Sequence, residues 1–304
     1  MKNESPSIRA TTEEAKLFYV RLLQEFVYLL FRTGRIKVPI HFAFGHEWIA
    51  VSVTQKISRQ VFLPHRNIHY NLALCFSLCG ELDVANLVDY LNEIMLTRNS
   101  FYRGFIGSMN YTRPNSGLYT SSILANQLGV ALGHALASKY TEDNSRVAAV
   151  LGDGAIEEGR FWESLVFSAG KELPLDFIVE DNEYSMQSSI VERRGSIDLA
   201  LCAAGIGVLY SRLEDLDTSV LFNGPRVIYA QVNTEGSSIV DGRKVNYHAG
   251  RLHSNYNCPM LGQVLSRLKF ASPNSDCELD SDAARLINYL IEALSLEGVT
   301  DEPH

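Results

Sequence analysis

The chain has 304 residues, 46% hydrophobic and 20% charged, with a net charge of −8, which is enough for a large core in one large or two small domains. That acidic balance, without any dense Lys/Arg run, argues against a nucleic-acid partner. No apolar stretch approaches the roughly 20 residues of a membrane span, and the opening Met1-Lys-Asn-Glu-Ser-Pro6 lacks an apolar signal core.

Taken in chain order, residues 1–10 read as a polar lead-in. Thr11-Thr-Glu-Glu14 reads as a capping box, with Thr11 capping and Glu14 reaching back. The helix behind it is expected to run to about Thr33, with Leu17, Val20, Leu23, Val27 and Leu30 as its apolar stripe and Gly34 as a left-handed cap. His41 and His46 read as packing residues at a helix start. Asn71 to Cys79 reads as a helix ended by Gly80, and Leu82 to Leu96 as another. Leu128 to Lys139 is a helix rich in small residues, Gly129, Ala131, Gly133, Ala135 and Ala137, expected to pack tightly. The five cysteines are scattered. Cys75 and Cys79 stand one helical turn apart, but the pattern fits free thiols in a reducing cytoplasm. With no internal repeat and no low-complexity linker, residues 1–304 are expected to form a single domain with polar tails.

The most informative stretch is Val147 to Gln187. Val147-Ala-Ala-Val-Leu151 is an apolar run bounded by Gly152-Asp153-Gly154, which suits a buried parallel strand. A helix over Glu157 to Lys171 follows, stopped by Pro174, and Leu175-Asp-Phe-Ile-Val179 is the next strand. This βαβ unit sets Asp153 and Asp181-Asn182 at the carboxyl ends of two strands, where open α/β sheets bind ligands. Gly152 and Gly154 let the backbone approach a ligand, and the amides beyond them, at Ala155 and Ile156, favour a phosphate. Asp153 and Asn182 offer oxygen ligands, and a backbone carbonyl after Asn182 can add a third. Such a set suits Mg²⁺ or Ca²⁺ shared with a phosphate group. Arg226 to Val232 reads as a third buried strand, after the turn Asn223-Gly224-Pro225. Leu261 to Phe270 and Ala283 to Leu296 read as amphipathic helices.

The Gly-Asp-Gly, the intervening residues 155–180 (26 residues) and the Asp-Asn pair resemble the diphosphate-binding motif of thiamine diphosphate enzymes. The resemblance implies a doubly wound α/β fold with a mostly parallel sheet and helices on both faces. It implies Asp153, Asn182 and the carbonyl of Tyr184 as ligands of Mg²⁺. The helix carrying Glu158-Gly159 and Trp162-Glu163, and Asp181 in place of a common Asn, look like the transketolase branch.

The N-terminal segments Leu17–Phe26, Gly34-Arg-Ile36 and Gly45-His-Glu47 resemble the α subunit of the first component of 2-oxo acid dehydrogenases, with His46 and Trp48 where that branch has Gln and Ala. In those subunits an aromatic residue or His followed by Arg reaches the diphosphate, which implies His65 and Arg66 here. The family's His two residues later is Ile68 in this chain, and His69 is the displaced catalytic candidate. Gly107-Ser-Met-Asn110 resembles a Gly-Ser-Met-His segment with its His replaced. By position, Ser122, Ile123 and Leu124 inherit the backbone contacts to the aminopyrimidine ring. Ser188 to Ala204 falls where these subunits have a regulatory loop, and its polar first part is expected to be mobile at the site edge. His248, in a Gly-containing loop, is implied as a catalytic and diphosphate-contacting residue.

The resemblance covers residues 15–250 and implies an enzyme active only with a β subunit that carries the activating Glu, as α₂β₂. Its substrate is expected to be a small 2-oxo acid or ketose. Two other readings stand beside it: the diphosphate-binding subunit of a split transketolase-like enzyme, supported by Trp162 and His248, and a non-catalytic regulatory relative, supported by Trp48, Ile68 and Asn110.

Overall fold

The protein is described by a computed structural model over residues 5–113, 117–141, 145–185, 188–217, 222–235, 238–240, 243–245, 258–263 and 278–296. Its strands are β1 Val61–Leu63, β2 Leu118–Thr120, β3 Val147–Gly152, β4 Leu175–Asp181, β5 Tyr184–Ser185, β6 Ser188–Ser189, β7 Leu209–Arg212, β8 Arg226–Gln231, β9 Ser238–Val240 and β10 Arg243–Val245. Six of them form one sheet in the order β2-β1-β3-β4-β8-β7, with every neighbouring pair parallel. The short strands β5 and β6 pair as an antiparallel hairpin, as do β9 and β10.

The helices are α1 Glu13–Arg32, α2 Glu47–Ser52, α3 Ile68–Ala73, α4 Val84–Ile94, α5 Gln127–Tyr140, α6 Gly159–Gly170, α7 Ile190–Arg193, α8 Leu199–Ile206 and α9 Glu278–Ala293. Period-two alternation along the strands divides the interior into two apolar layers. Val61, Leu63, Ala148, Val150, Ile178 and Ile228 pack with α1, α3, α4 and α9. Phe62, Val147, Ala149, Leu151, Phe177, Val179 and Val227 pack with α5, α6 and α8. Each large side chain so buried contributes roughly 1.5–3 kcal/mol. The result is the expected α/β fold, a parallel sheet covered on both faces.

The strand order places the site. From β1 the chain moves outward to β2, then returns past β1 to β3 and continues to β4. The carboxyl ends of β1 and β3 therefore flank a topological switch point, where connections leave in opposite directions and a crevice opens. His65 and Arg66 follow β1, and Gly152-Asp153-Gly154 ends β3.

Several local expectations are corrected. The cap of α1 is Thr12, whose hydroxyl accepts the Ala15 amide at 3.1 Å, and not Thr11; two adjacent threonines offer the same cap chemistry. The lead-in is not loose where it is described: Ile8 and Ala10 are buried, and Ala10 and Leu82 donate to Gly80 and Ile8 carbonyls at 2.8 and 3.0 Å. The same pairing ends α3 at Ala73, since Ser77 and Asp83 turn back onto Glu81 and Cys75 and the helix expected to Cys79 does not continue. Cys75 is buried and Cys79 exposed, both free. The small residues of α5 divide: Ala131 and Ala135 are buried in the core as expected, whereas Gly129, Gly133 and Ala137 are exposed, with nothing within 4 Å of a Cβ built at either glycine. Residues 153–157 form a 3₁₀ turn, so α6 begins at Gly159 and not Glu157.

Candidate functional site

A cavity of about 80 Å³ lies at the switch point, with His65 and Arg66 on the β1 side and Gly152, Asp153, Gly154, Ala155, Asn182 and Tyr184 on the β3–β4 side. Leu124, from the loop before α5, closes part of its rim. Of the other sequence candidates, Ser122 and Ile123 sit exposed beside Leu124, with the Ser122 amide donating to Asn110 Oδ1 at 3.3 Å. Ile156 is buried in the turn after Asp153. His69 is 0% exposed and stands behind the cavity wall. His248 lies outside the described residues.

The two glycines of the motif do different work. A Cβ at Gly154 would stand 2.7 Å from Ser185 Oγ, so glycine lets the β5 turn close onto the 3₁₀ turn. At Gly152 a Cβ would meet nothing within 4 Å, and the backbone there borders open space. Asp153 is buried, and burial raises its carboxyl pKa above the ordinary value even against the opposing Arg193 guanidinium. Arg193 Nη2 pairs with Asp153 Oδ2, while Arg193 Nε pairs with Glu157 at 3.0 Å. A buried carboxylate at the end of β3 thus already has a cation against it. That donor set of carboxylate, amide oxygen and backbone carbonyl fits a hard divalent ion. Arg193 reaches Asp153 because Ser189 and Glu192 form a capping box that starts α7 directly after the β5–β6 hairpin. The run at the regulatory-loop position therefore carries β6 and α7 at residues 188–193.

Beside Asn182, with His46 and Glu180 also lining the cavity, runs a buried polar chain that no local sequence pattern announces. Asn182 Nδ2 donates to Thr234 Oγ1 at 2.8 Å. Thr234 Oγ1 lies 2.8 Å from His46 Nε2, and His46 Nδ1 lies 2.8 Å from Glu180 Oε2. His69 Nε2 meets the other Glu180 oxygen at 3.2 Å. The ionised carboxylate can only accept, so His46 carries its proton on Nδ1 and its Nε2 accepts from Thr234. Having donated, the Thr234 hydroxyl takes the Asn182 NH₂ as its own donor. The amide is thereby fixed with Oδ1 turned away from Thr234. Gly45 makes this contact possible: a Cβ there would lie 2.4 Å from the Asn233 carbonyl, so only glycine lets the α2 turn settle on the loop after β8. Asp181 is committed to structure, accepting from the Glu183 amide at 2.7 Å and the Tyr229 hydroxyl at 2.8 Å.

Burial alone would raise the Glu180 pKa; the facing His69 and His46 rings reverse this and hold the carboxyl well below the ordinary range. Burial lowers the His46 pKa from 6.5, against the pull of Glu180. Below about pH 6.5 the unfolded chain then binds a proton that the folded chain refuses, so stability is complete above that pH and is lost as pH falls. His46→Gln is expected to flatten the slope just below about pH 6.5, at most about 1.4 kcal/mol per pH unit. Urea unfolding at three pH values checks this; an unchanged slope assigns the proton elsewhere.

Comparison with known proteins follows the same line. Residues 80–223 match the family described as the dehydrogenase E1 component. The chain is 28% identical over 151 residues to the pyruvate dehydrogenase E1 component subunit alpha of Rickettsia prowazekii, covering 49% of this chain and 46% of that protein. It is 35% identical over 190 residues to the mitochondrial subunit alpha of Solanum tuberosum, covering 60% of this chain and 46% of the relative. The matched stretch thus spans less than half the length of each. Among solved structures, the fold is similar to transketolase from Campylobacter jejuni, with a TM-score of 0.57 over 95% of this chain and 48% of that one at 12% identity.

Proposed function

We propose, from the match of residues 80–223 to the dehydrogenase E1 component family, that this chain is the α-type subunit of a heteromeric thiamine diphosphate-dependent enzyme acting on a 2-oxo acid. The observation that carries this reading is one cavity at the switch point with Asp153, Asn182 and Tyr184 on one wall and His65 and Arg66 on the other. In this reading Asp153, Asn182 Oδ1 and the Tyr184 carbonyl hold Mg²⁺, while His65, Arg66 and the amides after Gly152 and Gly154 hold the diphosphate. Backbone groups of Ser122, Ile123 and Leu124 hold the aminopyrimidine ring. Glu180, His46 and Thr234 keep the Asn182 amide turned for the metal, and His69 supports Glu180. His248 remains the proposed phosphate donor or proton carrier. When bound, thiamine diphosphate supplies the nucleophilic carbon and the electron sink.

A β subunit is part of the proposal. A volume of about 80 Å³ accommodates a metal and a phosphate group, whereas whole small-molecule sites run to roughly 300–1,000 Å³. Beside the cavity, Ile123 is 65% exposed, and Val130 adds apolar surface on the open face of α5. Such surface suits burial against a second chain, which would also bring the activating Glu in an α₂β₂ assembly. Calorimetry with thiamine diphosphate and Mg²⁺ tests the reading, with saturable binding expected for the assembled complex. No binding in that complex would refute it.

Arg193 gives a second check. A metal must displace its guanidinium from Asp153, so Arg193→Gln is expected to raise Mn²⁺ affinity several-fold, read by electron paramagnetic resonance of the free ion. A weaker affinity would mean that Arg193 supports the metal instead of competing with it. The regulatory alternative draws on Ile68, buried where relatives have His, and predicts no cofactor binding in any assembly.

A further inference from the structure

A second and larger cavity, about 670 Å³, opens at the opposite edge of the sheet. Its walls include Arg59 and Gln60, just before β1, and Gly117 and Leu118, at the start of β2. The strands are parallel, so this edge holds their amino ends and lies away from the switch point.

Three residues of its lining, Arg59, Asn71 and Tyr90, each carry a buried side-chain polar atom without a hydrogen-bond partner: Arg59 Nη1, Asn71 Oδ1 and Tyr90 Oη. Native proteins seldom leave such atoms unpaired, and three around one cavity is a concentration that calls for a ligand. The orientation of Asn71 is fixed, because its Nδ2 donates to the Asn67 carbonyl at 3.1 Å and to Asn67 Oδ1 at 2.8 Å. Its free atom is therefore an acceptor, whereas Arg59 and Tyr90 offer donors.

The charges around the cavity point the same way. Glu81 is paired with Arg9 at 2.9 Å, Asp83 caps α4 through the Asn86 amide at 2.9 Å, and Arg113 is held by the Tyr111 hydroxyl at 2.6 Å and by Asp89. Arg59 has no carboxylate partner among the described residues; its Nη2 donates to the Leu74 carbonyl at 3.0 Å. Cys75 beside it does not supply a counter-charge, since burial pushes that thiol up to about 12. The guanidinium is left partly buried and uncompensated, a costly arrangement for a charge unless an anion joins it.

We propose that this cavity binds a small hydroxyl-bearing oxyanion, a phosphate ester or hydroxycarboxylate of metabolite size, at a site separate from the switch-point cavity. Arg59 and Tyr90 donate to the oxyanion, and Asn71 Oδ1 accepts from a ligand hydroxyl. The volume is in the range of small-molecule sites, and a guanidinium fork matches both phosphate and carboxylate. In the free chain the three atoms are shielded from water. Binding therefore needs the partly exposed Arg59 side chain to swing its head toward the cavity.

Thermal unfolding of the full chain tests this, with inorganic phosphate, glycerol 1-phosphate and glycerate as probes against chloride at matched ionic strength. At about ten times the dissociation constant, at least one probe is expected to raise Tm by roughly 2–4 °C. Phosphate ester and carboxylate are distinguished by which probe acts at lower concentration. Arg59→Met is expected to abolish the shift, and Asp153→Ala, at the other cavity, to leave it intact. Tyr90→Phe is the sharper variant: its lost hydroxyl has no partner, so the unliganded Tm is expected to hold or rise while the response to ligand falls. A shift no larger than that of chloride for every probe, or an equal shift in Arg59→Met, overturns the proposal. So does a lower unliganded Tm in Tyr90→Phe, since the hydroxyl would then already be satisfied within the chain.

Discussion

Asp153→Ala is expected to lower Mn²⁺ and Mg²⁺ affinity by about 100-fold or more while leaving the fold intact. Residues that merely orient metal ligands typically account for 10–100-fold in affinity, so removing the sole side-chain carboxylate of the proposed set should exceed that. The stability side of the argument is independent. Asp153 is buried and its pKa is raised, burial being the larger influence and Arg193 the opposing one. A carboxyl raised in this way is ionised at neutral pH at a cost to the folded state, and the cost is relieved as pH falls. Removing it strands no cation, because Arg193 keeps Glu157 at 3.0 Å and the Ser188 carbonyl at 2.5 Å. The unfolding free energy should therefore change by about 1 kcal/mol or less. Manganese titration and urea unfolding on one preparation separate the two effects. A variant that binds metal as the parent does removes Asp153 from the site, and one that loses both metal and several kcal/mol makes it a structural residue.

What could be read beforehand followed sequence distance. Gly152-Asp153-Gly154 and Asp181-Asn182 are joined by one helix, and that βαβ crossover alone sets both at the same sheet edge. The apolar run Val147 to Leu151 and the strand Leu175 to Val179 after Pro174 gave the buried parallel pair. His46, Glu180 and Thr234 were out of reach, since His46 meets partners 134 and 188 residues away and no local pattern joins them. One signal was present: Glu180 follows the apolar Phe177-Ile-Val179 in a buried strand, and a buried charge there requires partners. Its neighbour Asp176 carries the same signal at the other end of β4. Arg193 was hidden for a different reason. In Glu192-Arg-Arg194 nothing local distinguishes the arginine that turns inward, and the choice is made by the capping box at Ser189. Thr12 over Thr11, and the early end of α3, were decided by what packs against them.

The second large effect is expected at the amino end of β4. Asp176→Ala should cost about 3–5 kcal/mol of stability, the usual consequence of breaking a buried pair from one side. Asp176 is 0% exposed and accepts four hydrogen bonds from two guanidiniums: Arg226 at 2.7 and 2.8 Å and Arg146 at 2.8 and 2.6 Å. The two arginines differ in what they would have left. Arg146 also donates to the Phe222 and Gly224 carbonyls at 2.8 and 3.0 Å and is partly solvated. Arg226 is buried and has only Asp176 among the described residues. The penalty is thus the cost of an unpaired Arg226 charge more than the worth of the pair itself. Arg226→Met should consequently recover most of the loss when added to Asp176→Ala, giving a coupling of about 2–3 kcal/mol in a double-mutant cycle. The cluster sits where β3, β4 and β8 begin, so its loss should loosen the three central strands together and leave the transition two-state. Urea denaturation of the four proteins decides it: a loss below about 1 kcal/mol for Asp176→Ala, or strict additivity, would show that the apolar layers hold these strands without the ion pair.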